Sequence, residues 1–395
     1  MTSQSQTALR ILMLVDKVCA GGGAERFMAA LATNLPRERF QVTVATTRSA
    51  GGRVLEMLDE GDIPHVAFHR RGRFDLVQFY RLTRFLRRER IDVVHAHMFG
   101  SNLWGSIFGR LAGVPAVVAH EHTWSYEGEP LRKLLDGRVI GRLTDTFVAV
   151  SERDRDRMIT LEGVPAEKIV VLPVPFIPRP NGTHRDMRAE LGIPADAPLV
   201  GTVAVLRPQK ALHVLVDAFA RLSQRMPEAR LVIGGNGPCR EDLERQTSEL
   251  GVAERVTFLG WWEDVSSLLR AVDVAAMSSD YEGSPLFALE AAVHGTPLVS
   301  TDVGNVASLL GDGQGVAVVP PRDPAALAGA LEALLRDPAR RAAQAAAAGE
   351  VVRRHDLDTV THEFAELYER LVAGAPGRRG SSRSRRNGAG RAARS

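Results

Sequence analysis

Eleven short apolar, β-branched runs alternate with helix-length segments along most of this chain, and that rhythm restricts the folds open to it. Runs at 11–15, 41–45, 93–96, 116–119 and 146–150 occupy the first half; runs at 200–205, 230–233, 256–259, 274–277, 298–300 and 315–319 occupy the second. Strands that alternate with helices build parallel sheets. Runs that stay apolar throughout, rather than at every second residue, belong to sheets covered on both faces. A length of 395 residues points to two such domains. The boundary is expected at 173–198, because Pro173, Pro175, Pro178 and Pro180 precede Asn181-Gly182, and neither a helix nor a central strand survives that composition. The reading is α/β, two doubly wound parallel-sheet domains with a ligand cleft between the C-terminal ends of both sheets. The expected divisions are a first domain at 1–175, a linker at 176–195, a second domain at 196–352, a helix at 353–374 and a tail at 375–395. The helix has apolar residues at Val360, Phe364, Leu367 and Leu371, and is expected to pack back towards the first domain.

The charge sharpens this picture. The chain carries a formal net charge of +3, but seven arginines and no acid fall within 376–395. Residues 1–375 therefore stand at −4, so the basic balance belongs to a Gly/Ser/Arg segment that cannot form a core. Nucleic acid is not the expected partner. Only Lys17, Lys133, Lys168 and Lys210 are lysines, which makes a lysine in a strand-to-helix loop conspicuous. Two cysteines, Cys19 and Cys239, exclude a disulfide scaffold. The run 11–15 is too short for a signal peptide, and the longest stretch free of Asp, Glu, Lys and Arg, 93–109, contains two histidines, Ser101 and Asn102. A protein of the cytoplasm or of the inner face of the cell membrane is expected.

One residue breaks the pattern. In the segment 282–295, EGSPLFALEAAVHG, Ser284 can cap a helix whose first position suits Pro285. The helix that follows is apolar all round and should be buried, yet it carries Glu290. A buried carboxylate costs several kcal/mol unless it is paired or hydrogen-bonded. Glu290 therefore either meets solvent or an internal Arg, or faces a hydroxyl-rich ligand. Glu282 precedes the same helix in a strand-to-helix loop, where free N–H groups and the helix dipole favour an anion. Two carboxylates beside an anion-binding helix end suit a ligand with phosphates and hydroxyls, such as a nucleotide sugar.

Glu282 and Glu290 have seven residues between them within SSDYEGSPLFALEAAVHGTPLVSTDVG, which strongly resembles the E-x7-E signature of retaining glycosyltransferases of family 4, whose fold is GT-B, two Rossmann-like domains. Further stretches resemble the same family in the same order: GGGAER at 21–26, DVVHAH at 92–97, AHEH at 119–122, AVSE at 149–152, RPQK at 207–210, IGGNGP at 233–238, FLGWWEDV at 258–265 and GTPLVSTDVG at 295–304. The resemblance spans about residues 9–372. It implies a hexosyltransferase-like enzyme that moves a sugar from a nucleoside-diphosphate sugar to an acceptor hydroxyl. The acceptor is expected to be a saccharide or lipid-linked glycan in cell-envelope or exopolysaccharide synthesis.

The resemblance also assigns roles. Glu290 would bind the nucleotide ribose and Glu282 a donor-sugar hydroxyl. Lys210, with Arg207, would hold the diphosphate, and His122 would edge the donor sugar. Gly283, Ser284, Pro285, Gly235 and Gly237 would line the donor site, with Trp261 and Trp262 near the base. Gly21, Gly22, Gly23 and Glu25 would form an acceptor or phosphate loop; a tight structural turn is the plainer reading of these glycines. Four places depart from the family: Val205 replaces its usual Arg, Ala211 its usual Gly after the lysine, Pro173-Val174-Pro175 its Pro-Asn-Gly, and Ser308 lies near where a Glu commonly follows its TDVGG stretch. The family implies no cofactor and no metal for chemistry, the donor being a substrate. The pairs His95/His97 and His120/His122 each share a strand face, but no carboxylate or cysteine cluster completes a site, so they are read as structural or sugar-binding rather than metal-binding. No two carboxylates are spaced as nucleophile and acid.

Residues 70–90 hold eight arginines interleaved with Phe74, Leu76, Val77, Phe79, Tyr80, Leu82, Phe85 and Leu86. This is either a solvated helix on its own sheet or a basic amphipathic surface for anionic membranes, with the Arg-rich tail as a second contact. Two other functions remain open to the sequence: a GT-B-like nucleotide-sugar epimerase, and a nucleotide-sugar-binding protein without catalysis.

Overall fold

A computed structural model describes residues 8–18, 23–72, 74–122, 130–177, 185–311, 313–352 and 355–375. Gly21, Gly22 and the tail at 376–395 lie outside the described residues. The first sheet contains β1 (Leu9–Val18), β2 (Phe40–Ala50), β3 (His65–Ala67), β4 (Val93–His97), β5 (Ala116–His120), β6 (Thr146–Ala149) and β7 (Ile169–Val171), in the order β3-β2-β1-β4-β5-β6-β7. The second contains β8 (Leu199–Val203), β9 (Arg230–Gly234), β10 (Val256–Gly260), β11 (Val274–Met277), β12 (Leu298–Thr301) and β13 (Ala317–Val319), in the order β10-β9-β8-β11-β12-β13. Every strand pair is parallel. The two doubly wound α/β domains are those the sequence leads one to expect.

The eleven apolar runs all become strands, with shifted ends in all but the run 274–277. The run 200–205 leaves its sheet after Val203, where Ala204 and Leu206 donate instead to the carbonyls of Gly234 and Asn236. β3 and β7 were not foreseen; each has three residues at a sheet edge, too few for a period to register.

In each sheet the strand order reverses once, between β1 and β4 and between β8 and β11. Loops leaving neighbouring strands at such a point diverge to opposite faces and open a crevice. The crevices of both sheets meet, and their loops carry most of the residues discussed below.

The helix Leu357–Gly374 does not pack with the second sheet that precedes it. Val360, Phe364, Ala365, Leu367, Tyr368 and Val372 are buried in the core of the first sheet, with Phe27, Phe40 and Met13. The chain therefore crosses between the two cores twice. The crossings touch: Phe176 N–H donates to the His355 carbonyl (2.7 Å), and His355 Nδ1 lies 2.9 Å from the Val174 carbonyl oxygen. Within the stretch read as linker, the short helix Met187–Glu190 sits on the second sheet, where Arg188 contacts Asp273 (2.9 Å) and the Ala271 carbonyl (2.8 Å). Among the described residues no helix is long and apolar enough to cross a membrane.

Candidate active site

A cavity of about 360 Å³ lies where the two crevices meet. Its wall combines Gly23 to Arg26 after β1, Met98 after β4 and His122 after β5 with residues 202–212 around the end of β8 and Met277 to Glu290 after β11.

The helix Leu286–Val293 forms one wall, and Ala288, Leu289, Glu290, Ala291 and Ala292 are all buried. Glu290 lines the cavity and is also paired: Arg26 Nη1 reaches across from the first sheet's helix Gly23–Asn34 to within 3.3 Å of its Oε1. Arg26 Nη2 donates to the Ile177 carbonyl at 3.3 Å. Their side chains are 13% and 7% exposed, so the buried charge that looked anomalous in sequence has a partner. Arg26 was quoted in the sequence motif but given no role. The signal for it was Glu290 itself, since a charge on an apolar helix requires a counter-charge.

The expected capping differs. Pro285, not Ser284, occupies the N-cap position, and no side chain caps this helix. Pro285 holds φ −74° and ψ 111°, which moves the helix start one residue on and takes Ser284 out of reach. The Ser284 hydroxyl is buried beside the cavity without a hydrogen bond. The uncapped N–H groups at this end leave donors for an anion.

Lys210 ends a short turn, Pro208–Lys210, and its Nζ lies 2.5 Å from Glu282 Oε1. Ser279 Oγ donates to the same oxygen at 2.6 Å. Backbone links fix the loops around this pair: Asp280 N–H donates to the Gln209 carbonyl (2.9 Å), and Ser278 Oγ to the Lys210 carbonyl (3.0 Å). Ala211, where the family usually has glycine, stands at φ 43°, a left-handed conformation that costs a residue with a Cβ about 1 kcal/mol. Arg207 is exposed on the cavity rim, and Glu25 lines the opposite wall.

Glycine is required behind this site at two places. Gly304 (φ 54°) presses on the loop that carries Glu282: a Cβ there would lie 2.1 Å from the Gly283 carbonyl oxygen. Gly235 (φ 126°) would place a Cβ 1.8 Å from the Ala204 carbonyl oxygen. Gly235 and Gly237 do not themselves line the cavity; they pack beneath residues 204–206, which lead into it. Trp261 and Trp262 also stand outside the cavity lining. Trp261 is exposed and donates to Glu263, while Trp262 donates to the Asp264 carbonyl and receives Arg185 over its ring at 5.2 Å.

His122 reaches the cavity wall but is largely buried. Burial pushes its imidazole down to about 3, so it is neutral near pH 7. Its Nε2 lies 3.0 Å from His97 Nδ1.

Away from the cleft, the helix Leu76–Arg88 buries Leu82 and Leu86 against its own sheet and Phe79 against Trp104 and Phe108. Its other face is open: Phe74, Leu76, Val77 and Tyr80 are exposed, beside exposed Arg81, Arg84, Arg87 and Arg88. Arg70 does not join this surface. It turns inward to Asp16 (3.0 Å) and is buried, because Asp16 and Thr47 at the end of the sheet offer it acceptors.

The family model described as Glycosyltransferase Family 4 matches residues 21–176, and the model described as Glycosyl transferases group 1 matches residues 183–351. The D-inositol 3-phosphate glycosyltransferase of Kineococcus radiotolerans is 30% identical, over 91% of this chain and 93% of its own length. The chain belongs to glycosyltransferase family 4. This family 4 glycosyltransferase is also similar to the alpha-D-kanosaminyltransferase of Streptomyces kanamyceticus, with 29% identity over 72% of this chain and 79% of that one. Its fold matches that of Anabaena Alr3699/HepE in complex with UDP-glucose, at a TM-score of 0.81 and 23% identity, covering 92% of this chain and all of the other. The architecture is GT-B, as the E-x7-E stretch implied.

Proposed function

We propose that this glycosyltransferase binds a nucleoside-diphosphate sugar in the interdomain cavity and transfers the sugar, with retention of anomeric configuration, to a hydroxyl of a saccharide or lipid-linked acceptor. Cell-envelope or exopolysaccharide synthesis is the setting that fits. The observation that carries this reading is the meeting of Glu290, Glu282 and Lys210 with the uncapped end of the helix Leu286–Val293 in one cavity. Carboxylates suit ribose and sugar hydroxyls; an ammonium and free N–H groups suit a diphosphate.

In this reading Glu290 takes the ribose and Glu282 a sugar hydroxyl. Lys210, Arg207 and the N–H groups of Ser284, Leu286 and Phe287 stabilise the diphosphate as it leaves, so the chemistry needs no metal. The acceptor enters from the wall formed by Gly23, Glu25 and His122 and attacks on the face that the diphosphate leaves. The proton of its hydroxyl passes to a donor phosphate oxygen. Residues 1–175 form the acceptor side and 196–352 the donor side. The exposed apolar and arginine-bearing face of Leu76–Arg88 would rest on an anionic inner membrane surface and keep a lipid-linked acceptor near the cleft.

A thermal-shift screen against UDP-, GDP-, ADP- and dTDP-sugars tests donor binding. Stabilisation by one nucleotide class, lost in Glu290→Ala, is expected; no shift with any of them removes the proposal. NMR of the product then reads the anomer, and an inverted product excludes retention.

A further inference from the structure

Four histidines meet at the C-terminal ends of β4 and β5. His95, His97 and His120 are fully buried, and one nitrogen from each lies within 4.8 Å of the others. His95 Nε2, His97 Nε2 and both ring nitrogens of His120 make no hydrogen bond. A buried polar atom without a partner is rare in a native fold and calls for a bound water or ion. Here three buried histidines that meet carry four such atoms between them.

Their surroundings resemble those of metal ligands. A histidine that binds a metal through one nitrogen normally engages the other in a hydrogen bond that fixes the ring and its tautomer. His95 Nδ1 lies 2.7 Å from Tyr368 Oη, and His97 Nδ1 lies 3.0 Å from His122 Nε2. With the proton on Nδ1 in both rings, the two unbonded Nε2 atoms keep lone pairs free for a metal. Burial also keeps the rings neutral, the form in which imidazole binds a metal.

We infer that His95, His97 and His120 form a site for a late first-row transition-metal ion, of the three-imidazole type with a water or hydroxide as fourth ligand. Imidazole suits zinc, copper, nickel and iron, whereas calcium and magnesium require oxygen ligands. Bonds of about 2.0 Å in a tetrahedral shell bring the nitrogens to about 3.3 Å, so loading draws the three rings inward by side-chain rotation. No protein carboxylate takes part, and the exchangeable fourth ligand, as hydroxide or chloride, offsets one of the ion's two positive charges. The route in is short: His122 lines the cleft and stacks on His120 at a ring separation of 3.9 Å, so the site lies one ring beneath the cleft wall. The ion would tie β4 and β5 to the C-terminal helix through His95 and Tyr368. It has no part in the transfer step, and the inference stands independently of the donor reading.

The full chain, stripped with chelator and titrated with Co²⁺ alone, tests it. One equivalent with tetrahedral visible absorption, displaced by Zn²⁺, is expected. The exposed-histidine variants His213→Ala and His362→Ala should retain it, and His120→Phe should lose it, with affinity falling at least about ten-fold. A melting curve establishes that each variant is folded. X-ray absorption on the wild-type zinc complex decides the matter whatever the variants do, since it should show a shell of three imidazole nitrogens. Absence of stoichiometric uptake, unchanged uptake in a folded His120→Phe, or a shell dominated by oxygen overturns the inference.

Discussion

Arg26 Nη1 lies 3.3 Å from Glu290 Oε1, and this ion pair joins the first helix of one domain to the buried helix of the other across the cleft. The two residues are 264 positions apart in sequence. Each makes the other's burial tolerable, and a ribose that bonds to Glu290 must share or displace Arg26.

Glu290→Ala should therefore show two separable effects. Turnover should fall at least about 100-fold, because buried hydroxyl-binding groups discriminate strongly. The melting temperature should also fall, by the equivalent of up to about 3 kcal/mol, because Arg26 is left without its carboxylate. The double variant Arg26→Met with Glu290→Leu should recover the melting temperature but not the turnover. Calorimetry and a donor-turnover assay on the three proteins separate the effects.

Lys210→Ala should lower kcat by about 100- to 1000-fold, the usual effect of losing one preorganised donor to a developing anion. Donor affinity measured by titration should weaken less than turnover. Equal losses in both would mean that Lys210 binds the ground state and the leaving diphosphate alike.

Gly304→Ala should impair turnover without touching substrate. Its Cβ would collide with the Gly283 carbonyl and displace the loop of Glu282. Gly313→Ala is the matched control: φ there is +74°, yet the added Cβ meets nothing within 4 Å. Both should lose about 1 kcal/mol of stability from backbone conformation, and only Gly304→Ala should lose activity beyond that.

Acid should unfold the protein through its histidines. His95 and His122 are held down to about 3 by burial, against 6.5 when free. Below pH 6.5 the unfolded chain takes up protons that the native state refuses, so their stabilisation is complete above 6.5 and is lost as pH falls towards 3. Each such group contributes up to about 1.4 kcal/mol per pH unit. Urea unfolding at pH 7, 6 and 5 should show a steep decline, and His95→Phe should make it shallower.

The exposed face of Leu76–Arg88 should bind vesicles containing anionic lipid and not neutral ones. Val77→Ser with Tyr80→Ser should reduce flotation with those vesicles, and salt should weaken what remains. Equal flotation with neutral vesicles would remove the electrostatic account.

The parallel sheets were legible because apolar runs and helix starts are local signals. Glu290 was legible for the opposite reason, as one charge on an otherwise apolar helix. Local signals do not report pairing across long separations. Arg26 against Glu290, Gly304 against Gly283 and Tyr368 against His95 exist only once the chain is folded. Arg70 shows the converse failure: it belongs to an arginine-rich stretch, yet Asp16 draws it inward. The histidine pairs were seen separately, each as two residues on a strand face. Strand pairing of β4 with β5 sets His97 directly beside His120, which sequence spacing alone cannot reveal.

The double crossing between the domains bears on how new specificities can be assembled from enzymes of this architecture. Fusing the first half of one enzyme to the second half of another at a single junction would bring a foreign last helix onto Phe27, Phe40 and His95. A working chimera must be cut twice, near 176 and again near 355, so that each first-sheet half keeps its own closing helix. The second-sheet half is thus a removable insert within the first-sheet half rather than a module attached to its end.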